Sequence, residues 1–542
     1  MFSITNAAGG EAIPRSAAHE VADYEQAVKN LVAETWCNWP NWAGFTGLRE
    51  ERGPFRCTVH GNIPAWAAGT LFRTGPGSWQ IDDTPSGTLQ FGHWFDGLAH
   101  THRFDIISSG DTGGVAVLYS SRHQSQAYVK YIQEHGQGDV FTFAQRRDPC
   151  VGIFGKMMSS YEPAKAKDSQ AKDRPTDEIK NICVALHADV PGLASATENS
   201  VENQESFGHR GMPGTVWITS DNSKMRRIDP ETLEPLGTVN QTAFHPDLKG
   251  PISCTHAQRC PRTGDFFNFN LDLGSDAAYR VFRVSAATGS TEILATIASS
   301  DVKPAYIHSF FLTEHFVILC IPSTHFLEGG RKVMMERNIL DAIAPFDKSQ
   351  TRRWLVVDRV NGRGVVAEFE SDAGFFFHSV NSFETTTESG AVDVFCDVVE
   401  YPNQDILRSL YYDVLINRNR EGSKFWGDES KGRGSLIQLV RYKLHVPLFD
   451  TAASTPPAKQ LKVQRAEQQL VIRSPHAGEL ASINPNFNTR RHRYMYSLCN
   501  RGLSTLFDGI VKTDIDTREV CFWGNPRDIL LVSPFSWLVR VV

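Results

Sequence analysis

Five stretches of this chain share one shape. They are IDPETLEPLGTV (228–239), CPRTGDFFNFNL (260–271), VSAATGSTEILATI (284–297), VDRVNGRGVVAEFE (357–370) and TDIDTREVCFW (513–523). In each, a polar turn rich in Asp, Asn, Thr or Gly joins apolar runs. Asp and Asn side chains accept hydrogen bonds from backbone two residues on, and Gly supplies left-handed conformations, so each stretch predicts a β-hairpin. Hairpins recurring at intervals of tens of residues predict an all-β chain, with four-stranded meanders arranged as a β-propeller. An irregular sandwich or barrel would carry the same local text. Helical patterns are few: EVADYEQAVKNLVAETW near the N-terminus, then RNILDAIAPF and QDILRSLYYDVL.

With 542 residues, the chain is long enough for two or three average domains or one large β architecture. A net charge of −6 gives no basic surface for nucleic acid, so no such partner is expected. Ten scattered cysteines with no Cys-x-x-Cys pair predict free thiols in a reducing compartment. The opening MFSITNAAGGEAIPRSAAHE lacks a signal-peptide apolar core, and no run is long enough to span a bilayer. We expect a cytoplasmic protein, peripheral on membranes or lipid bodies. Residues 1–38 read as an N-terminal extension and 39–523 as the propeller domain. Residues 162–180 and 194–213 are polar and apolar-poor, and read as surface insertions.

The densest histidine cluster is GHWFDGLAHTHRFD (92–105), with His93, His100 and His102. His100 and His102 would share one face of a strand. Two such imidazoles can bind a metal, but the adjacent aromatics and Gly suggest tight packing. Three other histidines stand alone at the ends of apolar runs. These are His256 in PISCTHAQRC, His308 in KPAYIHSFFL and His378 in GFFFHSVNS. A buried imidazole needs partners for both nitrogens. Inner strands of successive blades converge on one axis, so these three could meet there. Three unrelated core histidines would fit the spacing as well.

Several motifs in order resemble the carotenoid cleavage oxygenases: GTLFRTGPGSWQ, HWFDGLAHTHRF, RDPCVGIFGKMMSSY, THAQRCPRTGDFFNFN, YIHSFFLTEHFVIL, GGRKVMMERNILDAIAPFD and FFFHSVNSFE. The resemblance runs from about Trp39 to about Trp523. The opening from Asn38 to Gly77 looks closest to the branch that cleaves torulene and β-carotene. The resemblance implies a seven-bladed propeller with a helical and loop cap over an axial Fe(II) held by histidines. His256, His308 and His378 fall on three ligand positions, and His93, His100 and His102 on none. Glu479, in GELASIN, and Asp221, in ITSDNS, match carboxylates that orient the ligands' other ring nitrogens. Neutral imidazole ligands suit ferrous iron and leave open coordination positions. The implied reaction is cleavage of a carotenoid double bond with O2, giving retinal-like apocarotenoid aldehydes. The segment 148–161 implies a membrane-facing patch through Ile153, Phe154, Met157 and Met158. Its spacing alone fits a core-packing helix equally.

The chain departs from the family at its end. After DIDTREVCFW the resemblance implies a motif with a fourth histidine, and the sequence reads GNPRDILLVSPFSWLVRVV instead. His445 and His492 follow His378, but neither sits in a matching motif. We therefore expect a three-histidine centre with weakened iron affinity, an incomplete final blade, and an atypical tail over 524–542, such as intron read-through or a shifted frame produces. Two other readings stay open. One is a stilbene-type olefin substrate. The other is a non-catalytic propeller, for which the missing histidine argues.

Overall fold

A computed structural model describes residues 16–38, 41–45, 48–59, 61–108, 115–136, 141–145, 180–193, 212–298, 300, 302–447 and 461–524. All five sequence-predicted hairpins form. Strands Lys224–Ile228 and Pro235–Asn240 pair, as do Ala278–Val284 with Thr291–Ala298 and Arg352–Asp358 with Gly364–Ser371. Gly509–Asp514 pairs with Val520–Trp523, and Gln258–Arg259 with Phe266–Asp272. The turns close by the predicted chemistry. Asp229 Oδ1 accepts the N–H groups of Glu231 and Thr232 at 2.9 and 2.7 Å. Asp358 and Asp514 do the same for Val360 with Asn361 and for Asp516 with Thr517. Backbone groups that a strand leaves unpaired at its end are thus satisfied locally.

Six sheets of four or five strands make up a β-propeller among the described residues, where seven blades were expected. The sixth sheet has four strands, Glu479–Ser482, Tyr494–Cys499, Gly509–Asp514 and Val520–Trp523, paired in chain order. The N-terminal helix Ala17–Val32 bridges the fifth and sixth sheets: Glu20 accepts from the N–H of Arg473, at the end of the fifth sheet's strand Glu467–Arg473, and from Arg518 in the last hairpin, and Asp23 meets His476 Nε2 at 2.8 Å. Asn30 donates to the Arg501 carbonyl at 2.7 Å. No helix among the described residues is long and apolar enough to cross a membrane.

Strands alternate their side chains between two faces, so neighbouring sheets pack apolar faces together. Between the fourth and fifth sheets lie Phe311, Trp354, Phe376, Val398 and Tyr442. Burying such a side chain contributes about 1.5–3 kcal/mol. The first strands of successive sheets also run side by side. His256 makes a parallel bridge to Ser309. Ser309 Oγ donates to the Phe377 carbonyl and accepts the Ser379 N–H, both at 2.7 Å. Cys254 Sγ lies 2.9 Å from the His308 carbonyl. These cross-links set residues 256, 308 and 378 at one level on three adjacent sheets. The predicted short helices appear between strands, at Ile339–Ala342, Asp405–Ser409 and Tyr412–Leu415.

Candidate metal centre

His256, His308 and His378 come together. Their ligand nitrogens lie within 4.8 Å of one another, and among the described residues no other group of His, Cys, Asp and Glu side chains does this. His256 Nε2 and His308 Nε2 stand 3.2 Å apart. Two nitrogens on neighbouring positions of one ion stand about 3 Å apart when metal–nitrogen bonds are about 2.1 Å.

Two of the rings are held from behind by carboxylates. His308 Nδ1 donates to Asp221, 2.9 and 2.8 Å from its two oxygens. His378 Nδ1 donates to Glu479 Oε2 at 2.5 Å. Each carboxylate also accepts from a tyrosine: Tyr306 to Asp221 at 2.7 Å, and Tyr401 to Glu479 at 3.0 Å. With Nδ1 protonated, Nε2 of each ring keeps its lone pair. His378 Nε2 is buried and has no hydrogen-bond partner. A lone pair so placed fits a cation, and the donor set fits iron.

Asp221 and Glu479 are buried. Burial alone would raise the Glu479 carboxyl. His378, the Leu480 N–H and the Tyr401 hydroxyl outweigh it and hold the group below its usual range. Burial and the adjacent carboxylates push the phenols of Tyr306 and Tyr401 well up, so both remain donors.

One side of the centre opens on a cavity with about 1120 Å³ of atom-free space including its mouth. Trp94, Phe95, Phe143, Phe377, Ile406 and Leu410 give it apolar walls. Phe95 stacks on His308, with ring planes 11° apart and centroids 6.5 Å apart. The HWFDG motif therefore contributes a wall. His93 itself is turned away, with Nε2 on the Leu407 carbonyl at 2.8 Å and Nδ1 accepting the Phe95 N–H at 3.2 Å. His100 and His102 lie on the first sheet, away from the three-histidine group. Neither later histidine joins it. His445 Nδ1 pairs with Asp393 at 2.7 Å, and His492 Nδ1 accepts from Asn381 at 3.1 Å. Ile153, Phe154, Met157 and Met158, both insertions (162–179 and 194–211) and residues 525–542 lie outside the described residues.

Sequence reasoning missed the two tyrosines. Tyr306 carried a faint signal, since it precedes His308 by two positions. Tyr401 carried none: only strand register, which sets it opposite Phe375, brings it near Glu479.

Comparison with known proteins points one way. Residues 44–534 match the family model described as RPE65, retinal pigment epithelial membrane protein. A carotenoid dioxygenase of Neurospora crassa is 46% identical over 95% of this chain and 84% of its own length. A torulene dioxygenase of Gibberella fujikuroi is 45% identical over 95% and 86%. Among solved structures, a cobalt-substituted apocarotenoid oxygenase of Synechocystis superposes with a TM-score of 0.58 at 18% identity, covering 91% of this chain and 84% of its own.

Proposed function

We propose a specific reaction from one premise: this chain belongs to the carotenoid cleavage oxygenase family and is an oxygenase of that kind. The reaction is Fe(II)-dependent cleavage of a carotenoid double bond with O2, giving apocarotenoid aldehydes. The observation that carries this reading is the convergence of His256, His308 and His378 beside an aromatic cavity. The names of the fungal relatives support a torulene- or β-carotene-like substrate.

His256, His308 and His378 would hold the iron, which when bound supplies the redox chemistry that activates dioxygen. The rest is done by the chain's own groups. Asp221 and Glu479 fix the ring tautomers of His308 and His378, so neither of these two rings must turn or lose a proton to bind metal. Tyr306 and Tyr401 occupy a second acceptor site on each carboxylate and keep it aimed. Phe95, Phe143 and Phe377 bind a flat, apolar chain by burial and exclude water around it. The short helix Asp405–Ser409 and the residue that ends it contribute Ile406 and Leu410 to the cavity wall.

Carotenoids reside in lipid, so contact with membranes or lipid bodies through Ile153, Phe154, Met157 and Met158 belongs to the proposal, as does a cytoplasmic setting. The nine described cysteines are all unpaired, which fits a reducing compartment.

A second reading, a propeller without activity, rests on the group having three histidines and no fourth among the described residues. The experiment is iron per chain after Fe(II) loading, followed by product analysis with torulene, β-carotene and a stilbene. Iron near one per chain with aldehyde products supports the proposal. Iron near zero favours the inactive reading, and turnover of the stilbene alone would replace the substrate class.

A further inference from the structure

A small chamber adjoins the cavity at Tyr401. The two spaces share Tyr401, Ile406, Leu506 and Phe507. The chamber differs from the cavity in its lining, which includes the hydroxyls of Ser409, Ser435 and Ser474 and the indole of Trp426. Two of these four polar groups are already engaged. Ser409 Oγ donates to the Ile406 carbonyl at 2.9 Å and Ser474 Oγ to the Asn500 carbonyl at 3.1 Å. Thr505, also on this wall, donates to the Leu415 carbonyl at 2.8 Å.

Trp426 Nε1 and Ser435 Oγ are different. Both atoms are fully buried and have no hydrogen-bond partner among the described residues. Trp426 is 2% exposed and Ser435 7%. Leaving a buried donor unsatisfied costs about 1–3 kcal/mol, so two on one small chamber imply an acceptor that visits it. An indole N–H can only donate, so the visitor must accept. No Lys, Arg or His lines the chamber, so a carboxylate or phosphate would be buried without a counter-charge. A neutral oxygen fits.

We propose that this chamber is a subsite for the carbonyl oxygen of a polyene aldehyde or ketone, bound by Trp426 Nε1 and Ser435 Oγ. It rests on the reading of the cavity as a polyene site. It gives the chain a means of telling a polyene that carries a carbonyl from a plain hydrocarbon of the same length.

The test is equilibrium binding to the full-length, iron-loaded protein of two probes, a polyene hydrocarbon and the aldehyde of matched length. The readout is the ratio of their Kd values. One neutral hydrogen bond to an otherwise unsatisfied donor corresponds to about a 5- to 10-fold preference for the aldehyde in the wild type. In Trp426→Phe and, separately, Ser435→Ala, the ratio should move toward one. Ser435→Ala deletes a single atom and carries the test if Trp426→Phe fails to fold. A wild-type ratio of one, aldehyde binding too weak to measure, or variants that keep the wild-type ratio would overturn the subsite and leave the chamber to resident water. Cleavage of the hydrocarbon is scored separately: its failure with the Kd ratio intact would count against the oxygenase reaction and leave the subsite standing. With the preference present, cleavage of the aldehyde assigns the bound carbonyl to a substrate, and competition without cleavage assigns it to a product.

Discussion

Two trios of histidines can be compared within this one molecule. In the first sheet, His100 lies 4.3 Å from His102 and 4.4 Å from His123, ring centre to ring centre. In the candidate centre, His256 lies 4.8 Å from His308 and 4.9 Å from His378. His100 is thus closer to each neighbour than His256 is to its own, but only the second trio closes on itself, with His308 and His378 5.2 Å apart and the ligand nitrogens of all three within 4.8 Å of one another. The surroundings of the first trio also differ. His102 Nδ1 meets the Tyr119 hydroxyl, His123 Nε2 meets the Leu48 carbonyl, and both nitrogens of His100 lack a partner. No carboxylate is bonded to any of these ring nitrogens among the hydrogen bonds of the described residues. Burial, then repulsion from the other two rings, pushes His100 down to about 2. His100 and His102 are therefore held neutral in a packed patch. In the centre, Asp221 and Glu479 turn two rings and leave Nε2 lone pairs directed at a shared space. The lesson is that close imidazoles alone do not make a candidate metal site: their nitrogens must face one space, and acceptors behind the rings set that direction.

The comparison can be broken most easily by removing ligands. His308→Ala or His378→Ala should lower iron affinity by at least about 100-fold, since loss of an outer carboxylate alone costs about 10–100-fold. Elemental analysis of the purified protein reads this directly. His100→Leu should retain the wild-type iron content. If it loses iron as the other variants do, the distinction drawn between the trios is wrong.

The carboxylates sharpen it next. Glu479→Gln and Asp221→Asn should each weaken iron binding by about 10–100-fold. A chelator-competition titration measures the step. Unchanged affinity in both would mean that ring packing, not the acceptor, orients the imidazoles.

Acid stability gives a smaller effect. His100 sits at about 2 in the fold against 6.5 for the free group, and His102 at about 4. Between those values the unfolded chain takes up protons that the folded chain refuses. Stability therefore falls as pH drops below 6.5, with a slope of at most about 1.4 kcal/mol per pH unit for each such group. Urea midpoints at pH 7.5 and 5.0 should converge in His100→Leu relative to wild type. An equal acid loss in both proteins would show that His100 titrates normally.

The smallest expected effect is His100→Leu at neutral pH. The exchange nearly conserves volume and removes no hydrogen bond, so it should cost less than about 1.5 kcal/mol. A loss of several kcal/mol would mean that the ring has a bonded partner in solution.

Much of this was legible in the text of the chain. The Asp229, Asp358 and Asp514 turns could be read because an Asx turn is a local event, complete within four residues. The three histidines and Glu479 could be singled out by their motifs. The number of sheets could not, because six or seven repeats of one hairpin look the same locally. Nor could Tyr401, whose place beside Glu479 depends on pairing across a strand.

The sequence by itself determined the hairpins, the apolar alternation that stacks the sheets, and which side chains could act as metal ligands. These depend on bonds between neighbours and on side-chain chemistry. Only the tertiary structure decided which imidazoles share a space, which carboxylate stands behind each, and that the aromatic His93 motif supplies Phe95 as a wall. Those are distances between residues tens to hundreds of positions apart. They are set when the first strands of adjacent sheets are locked level by bonds such as Ser309 Oγ to Phe377.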